Sequence, residues 1–198
     1  MLLTGFGPFP GVPDNVSGRL VEKLCLRARR AFAGVTFTSE VLATEWGTAP
    51  SRVTALLDEL NPLVSLHFGV ASGSRTIRIE TQAANTCRMS ADAAGQPPLS
   101  NRLADDGAAV HAANIPVAAI YQRLQRRGIP VSISDDAGGY LCNAVLYHTL
   151  SSAKASGRPG CAGFIHLPDD LSRPPLTFPV ALKAGLEIIE ACLEHARR

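Results

Sequence analysis

Short apolar runs that alternate with longer amphipathic stretches predict an α/β chain, its sheet covered by helices on both faces. Composition agrees. Of 198 residues, 46% are apolar and 18% charged, which suits one folded domain spanning 1–198 and argues against disorder. The third observation is punctuation: glycine, proline or asparagine stands at most changes of periodicity.

Taken in order, "MLLT" reads as a strand that stops at Gly5. Val16–Phe32 reads as a helix, with Leu20, Val21, Leu24 and Ala28 at helical spacing and Gly34 ending it. Val35–Leu42 alternates and is rich in β-branched residues, so it reads as a strand. Ala49–Leu60 reads as a helix that stops before Asn61-Pro62. Leu63–Val70 reads as a largely buried strand, and Ser74–Asn85 as a half-exposed one. Met89–Asp106 has little periodicity, and its Gly95-Gln96-Pro97-Pro98 marks a surface excursion. Ile115–Arg127 is amphipathic with Gly128 as its C-cap. A strand at Ile129–Ser134, a helix at Tyr140–Ala155 and a strand at Cys161–Leu167 follow. A last helix starts near Thr177 and Pro179 and runs through Leu186, Ile189 and Leu193.

Several function classes are excluded at this level. Net charge is +2, and the densest basic cluster, Arg27, Arg29 and Arg30, ends a helix where cations suit the dipole. No nucleic-acid or membrane partner is expected. "MLLTGFGPFPG" is broken early by glycine and proline and lacks a basic leader, so no targeting segment is expected. The five cysteines are odd in number and form no CxxC pair. No disulfide framework or structural zinc site is expected, and a reducing, cytoplasmic location follows as the default.

In α/β sheets, active groups gather beyond the carboxyl ends of strands. Gly5–Gly11, Gly69–Gly73, Asp135–Cys142 and His166–Pro168 all fall there. Cys142 lies near the amino end of a helix, where free N–H groups favour a thiolate; the plain alternative is a small buried residue. His166 ends a strand and suits a general base toward a thiol, or else a hydrogen-bonded residue at the sheet's rim. Glu80, on an alternating strand, suits the orienting acid of a triad, or else faces solvent. Asp135 and Asp136 read as turn formers. His67 lies within a strand, whereas His111, His148 and His195 look solvated. "TGFGPFPG" lacks the third glycine and the GK[ST] of phosphate loops. Phe6 and Phe9 suit the flanks of a small flat ring, or else plug the core.

"TGFGPF", Glu80 with Asn85 after it, "DAGGYLCN" and "FIHLP" together resemble the pyroglutamyl peptidase type I family of cysteine peptidases over essentially the whole chain. The resemblance implies a single-domain three-layer α/β/α sandwich around a mostly parallel, mixed sheet. It implies a Cys142–His166–Glu80 triad acting on peptides with an amino-terminal pyroglutamyl residue, no metal or cofactor, and a homo-oligomer, dimer or tetramer. Phe6 and Phe9 match the aromatics that sandwich the lactam, and Asn15 the asparagine that shapes the pocket. Val70 stands where some relatives have glutamine and others valine, and Pro10 where many have glycine. Two other readings stand beside the peptidase: a relative that binds a cyclic amide without cleaving it, and a nucleotide-binding domain using the first glycine loop.

Overall fold

Alternation along each strand sorts side chains onto two faces, and each face is covered by helices. The computed structural model describes residues 1–155, 157 and 160–197. In chain order the elements are β1 (Leu2–Phe6), α1 (Val16–Ala31), β2 (Thr38–Leu42), α2 (Ala49–Leu60), β3 (Val64–Ala71), β4 (Ile77–Glu80), β5 (Gln82–Ala84), β6 (Val110–Ala112), α3 (Val117–Arg126), β7 (Val131–Ser134), α4 (Leu141–Ala155), β8 (Cys161–Pro168) and α5 (Phe178–Ala196).

The main sheet has the order β2-β1-β3-β8-β4-β7. All neighbours are parallel except β4 and β8, which run antiparallel. Leu3, Leu66, Phe68, Ile77, Ile79 and Ile165 face one core, closed by α1, α3 and α5. Leu2, Phe6, Ala162 and Phe164 face the other, closed by α2 and α4. This is the three-layer α/β/α arrangement. β8 sits centrally and is buried along its whole length, as a strand covered on both faces should be.

Several details differ from the sequence reading. Ser74–Asn85 is not one half-exposed strand. Its β4 portion lies between β8 and β7, so Ile77, Ile79 and Glu80 are buried. The chain breaks at Thr81, whose N–H and hydroxyl both donate to the Ser134 carbonyl. Residues of β5 then leave to pair with β6, a strand the periodicity did not reveal. Strand β2 starts only at Thr38, and α3 only after Pro116, leaving Ile115 to enter the core. Thr177 does precede α5, but its side chain makes no cap hydrogen bond. His111 and His148 are half-buried rather than solvated, and burial pushes both rings below the usual histidine value, with Lys154 adding to the effect at His111.

His67 on β3 is fully buried within the sheet. Its Nδ1 lies 2.7 Å from Thr4 Oγ1 and its Nε2 3.0 Å from Thr149 Oγ1, tying β1 to α4. Burial lowers its pKa to about 3. The ring therefore stays neutral in the fold down to about pH 3, while the unfolded chain takes up a proton below about pH 6.5. The stability this group contributes is present above pH 6.5 and is lost as pH falls from there toward 3. Thermal melts should show Tm falling between pH 7 and pH 4.5, and His67→Gln should flatten that slope.

Candidate active site

The residues singled out in the sequence come from the carboxyl ends of β1, β3, β4 and β8, the loop after β1, and the starts of α1 and α4. The turn after β7 supplies the sharpest feature. Asp136 Oδ1 accepts the Gly138 N–H at 2.8 Å, and Gly138 takes φ +81°, a left-handed conformation that suits glycine. The chain then enters α4, placing Cys142 in its first turn. N–H groups there lack a carbonyl within their own helix. Cys142 is half-buried, whereas Cys25, Cys87, Cys161 and Cys192 are buried.

Gly69 on β3 lets the sheet approach this helix. A Cβ at Gly69 would sit 2.8 Å from Cys142 Sγ and 2.8 Å from Phe164 Cζ, so any side chain there would push the thiol away. Across the ladder Gly69 pairs with His166 on β8. The sulfur and the imidazole thereby come close enough for Cys142 to act on the charge of the ring. On the other side of β8, Glu80 pairs with Phe164 and Arg78 with His166. Glu80 lies diagonally from His166 on the same face, and its Oε1 is 2.7 Å from His166 Nδ1.

The electrostatics follow from this placement. Burial is the largest influence on His166 and pushes its pKa down; contact with Cys142, and then with Glu80, outweighs it and raises the ring to about 9. Glu80 is completely buried, with Arg78 Nε 3.5 Å from the same Oε1. Its second oxygen, Oε2, has no hydrogen-bond partner among the described residues.

A cavity of about 410 Å³ opens over Cys142 and His166. Phe6, Phe9, Val70 and Leu141 form its apolar walls, and Asn15 lines it too. Phe6 is buried against Phe164, with ring centroids 6.3 Å apart, so it serves core and cavity at once. Phe9 packs on Tyr140 at 5.7 Å. Asn15 works mainly through the backbone. Its Oδ1 accepts the Ser17 N–H at 3.2 Å, capping α1, and its amide donates to the Gly7 carbonyl at 3.0 Å, pinning the loop that carries Phe9.

Other contributors escaped the sequence reading. Thr44 Oγ1 donates to the same Gly7 carbonyl at 2.8 Å. Trp46 meets Tyr140 edge-on at 5.3 Å. Asp92 is buried and accepts backbone N–H groups from Trp46, Ala94 and Gln96. Burial is the largest influence on Asp92 and raises its pKa, but those backbone bonds win and leave it below the usual carboxylate value. Asn85, which the sequence did mark beside Glu80, organises the irregular segment with four bonds, two accepted from Leu103 and Ala104 N–H and two donated to the Ala104 and Gly107 carbonyls. A buried Asp or Asn inside an aperiodic stretch is the signal that marks such a loop as ordered. Among the described residues there is no cluster of three metal-ligating side chains, and no helix long and apolar enough to cross a membrane.

Comparison with known proteins identifies the family and its fold. A family model described as pyroglutamyl peptidase matches residues 1–173. The pyrrolidone-carboxylate peptidase of Chromobacterium violaceum is 36% identical over 198 residues, covering 99% of this chain and 90% of the relative. This chain belongs to the pyroglutamyl peptidase family. The pyrrolidone-carboxylate peptidase of Pyrococcus furiosus is 30% identical over 98% of both chains. A mutant pyrrolidone carboxyl peptidase from that organism superposes with TM-score 0.88 at 28% identity, covering 98% of each chain. The Thermococcus litoralis pyrrolidone carboxyl peptidase gives TM-score 0.85 at 29% identity, covering 99% of this chain and 94% of the other.

Proposed function

We propose that the chain is a cysteine exopeptidase that removes an amino-terminal pyroglutamyl residue through Cys142, His166 and Glu80. One observation carries the reading. The half-buried thiol stands against an imidazole that is itself held by a buried carboxylate, and both reactive groups open into one aromatic-walled cavity.

Pyroglutamate has no free amine, so its pocket needs flat apolar walls and a few backbone hydrogen bonds rather than a carboxylate. Phe6, Phe9 and Val70 supply the walls, and backbone groups near Gly69, where Val70, Ala71 and Ser72 line the cavity, supply the hydrogen bonds to the lactam. Cys142 sulfur attacks the carbonyl carbon after the ring. The developing oxyanion is met by first-turn N–H groups of α4. His166, charged by the proton from sulfur, passes that proton to the leaving nitrogen as the C–N bond breaks. A thioester remains. Water, deprotonated by His166, attacks it, releases pyroglutamate and restores the thiol. Glu80 holds the ring's orientation and stabilises its charge.

Release of aminomethylcoumarin from its pyroglutamyl amide, blocked by prior iodoacetamide treatment, is the expected result. Binding of pyroglutamate without turnover would favour a non-cleaving relative and overturn the peptidase.

A further inference from the structure

Resting on the peptidase reading, we infer that Arg78 is a specificity-determining residue that reads a carboxylate on the residue following pyroglutamate. Arg78 lies in β4 directly opposite His166 in β8, on the same face. Glu80 holds Nδ1, so Nε2 is left to serve the thiol and the leaving nitrogen, and Arg78 lines the same cavity beside that ring, away from the apolar walls that take the lactam.

Its guanidinium is anchored before any substrate arrives. Nε lies 3.5 Å from Glu80 Oε1. Nη2 donates to Ser134 Oγ at 2.6 Å and to the Asp136 carbonyl at 3.1 Å. Nη1 makes no hydrogen bond among the described residues, and Arg78 lines the cavity with its side chain 33% exposed. A guanidinium has five donors in a fixed fork. Here one edge is spent on the protein, and the remaining nitrogen is held at the cavity wall.

The cavity's charge balance favours an anion on that side. Besides His166 and Cys142, its charged lining is Arg78, Arg88 and Asp136. Asp136 already accepts the Gly138 N–H. Glu80 is sealed from solvent and engaged with His166. The pyroglutamyl ring is neutral and occupies the apolar walls. An anion near Arg78 therefore comes from the leaving residue. A free carboxyl follows directly after that residue's α-carbon in a pyroglutamyl dipeptide, and an acidic side chain offers the same group from one branch away. Neither source needs a second charge from the protein.

The test measures kcat/KM on matched pairs. Pyroglutamyl-alanine against its carboxyl-terminal amide reports an α-carboxylate; pyroglutamyl-glutamate amide against pyroglutamyl-glutamine amide reports a side-chain one. At low ionic strength the charged member of at least one pair should be preferred about tenfold, as a charge-assisted hydrogen bond in a partly exposed site supplies. The preferred pair names the source. Arg78→Met should bring that ratio close to one, and Arg78→Lys should restore part of it. Equal rates within both pairs for the wild type overturn the proposal. So does an Arg78→Met protein that loses activity uniformly with its ratio unchanged, since the residue then only positions Glu80. Turnover of the uncharged coumarin substrate reports separately on the peptidase. Activity there with no charge preference removes only the role of Arg78, and no turnover of any substrate removes both.

Discussion

Cys142→Ala should reduce coumarin release from the pyroglutamyl substrate by at least about 10³-fold, to the level left by binding and oxyanion contacts alone. The size of the effect follows from chemistry. No other side chain in the cavity offers a sulfur, and water placed by His166 is a far weaker nucleophile toward an amide. The change should leave the fold intact. Cys142 is half-buried and small, at the edge of the core formed by α2, α4 and the sheet. Its removal deletes one sulfur beside open cavity rather than inside a closed layer. Tm should therefore move by no more than a few degrees. Iodoacetamide gives an independent readout. The other four cysteines are buried, so the native wild type should gain a single adduct and the variant none. A variant as active as the wild type, or one labelled to the same extent, would remove Cys142 as nucleophile.

Much of this site is visible in the sequence because local rules act on it. "DDAGGYLCN" carries its own turn: an aspartate that accepts a backbone N–H two residues on, a glycine with positive φ, then a helix start. "FIHLP" is apolar enough to name a central strand, and its histidine falls at the carboxyl end. Glu80 is different. Its strand alternates like a surface strand, yet its carboxylate is fully buried. That outcome depends on β4 running antiparallel to β8, the one reversed pair in the sheet, which no local pattern encodes. The residue pattern left Glu80 open between an orienting acid and a solvent-facing residue, and the resemblance favoured the acid. The same holds for β6, whose three residues gain a partner only because the chain leaves the sheet after Thr81. Trp46, Tyr140 and Asp92 were missed for a related reason. They converge from an aperiodic loop, a turn and a helix start, through bonds to Ser90, Ala91 and Trp46 that depend on tertiary placement.

Glu80→Gln should lower kcat by roughly 10²–10⁴-fold and also move the alkaline edge of the pH profile. The glutamine amide is nearly the same size, so packing is kept while the charge is lost. It either turns an N–H₂ group toward Nδ1, which favours the wrong tautomer, or accepts from Nδ1 without stabilising the imidazolium. The pH effect has a definite sign. In the wild type His166 holds its proton up to about pH 9, because Cys142 and Glu80 together outweigh burial. Proton delivery to the leaving amine needs the charged ring, so kcat/KM should fall as pH rises through about 9. Removing Glu80's charge leaves burial opposed by Cys142 alone, so the ring loses its proton at lower pH and the alkaline edge moves down. Stability linkage runs the same way. A raised histidine contributes fully below about pH 6.5, and that contribution disappears as pH climbs through 9. The variant should therefore lose its largest share of Tm, relative to wild type, on the acid side of that window. A substitution that only loosened packing would lower Tm without this pH dependence and leave the edge of the rate profile where it was. An unshifted alkaline edge in an otherwise folded Glu80→Gln protein would mean that the carboxylate does not act on the imidazole's charge.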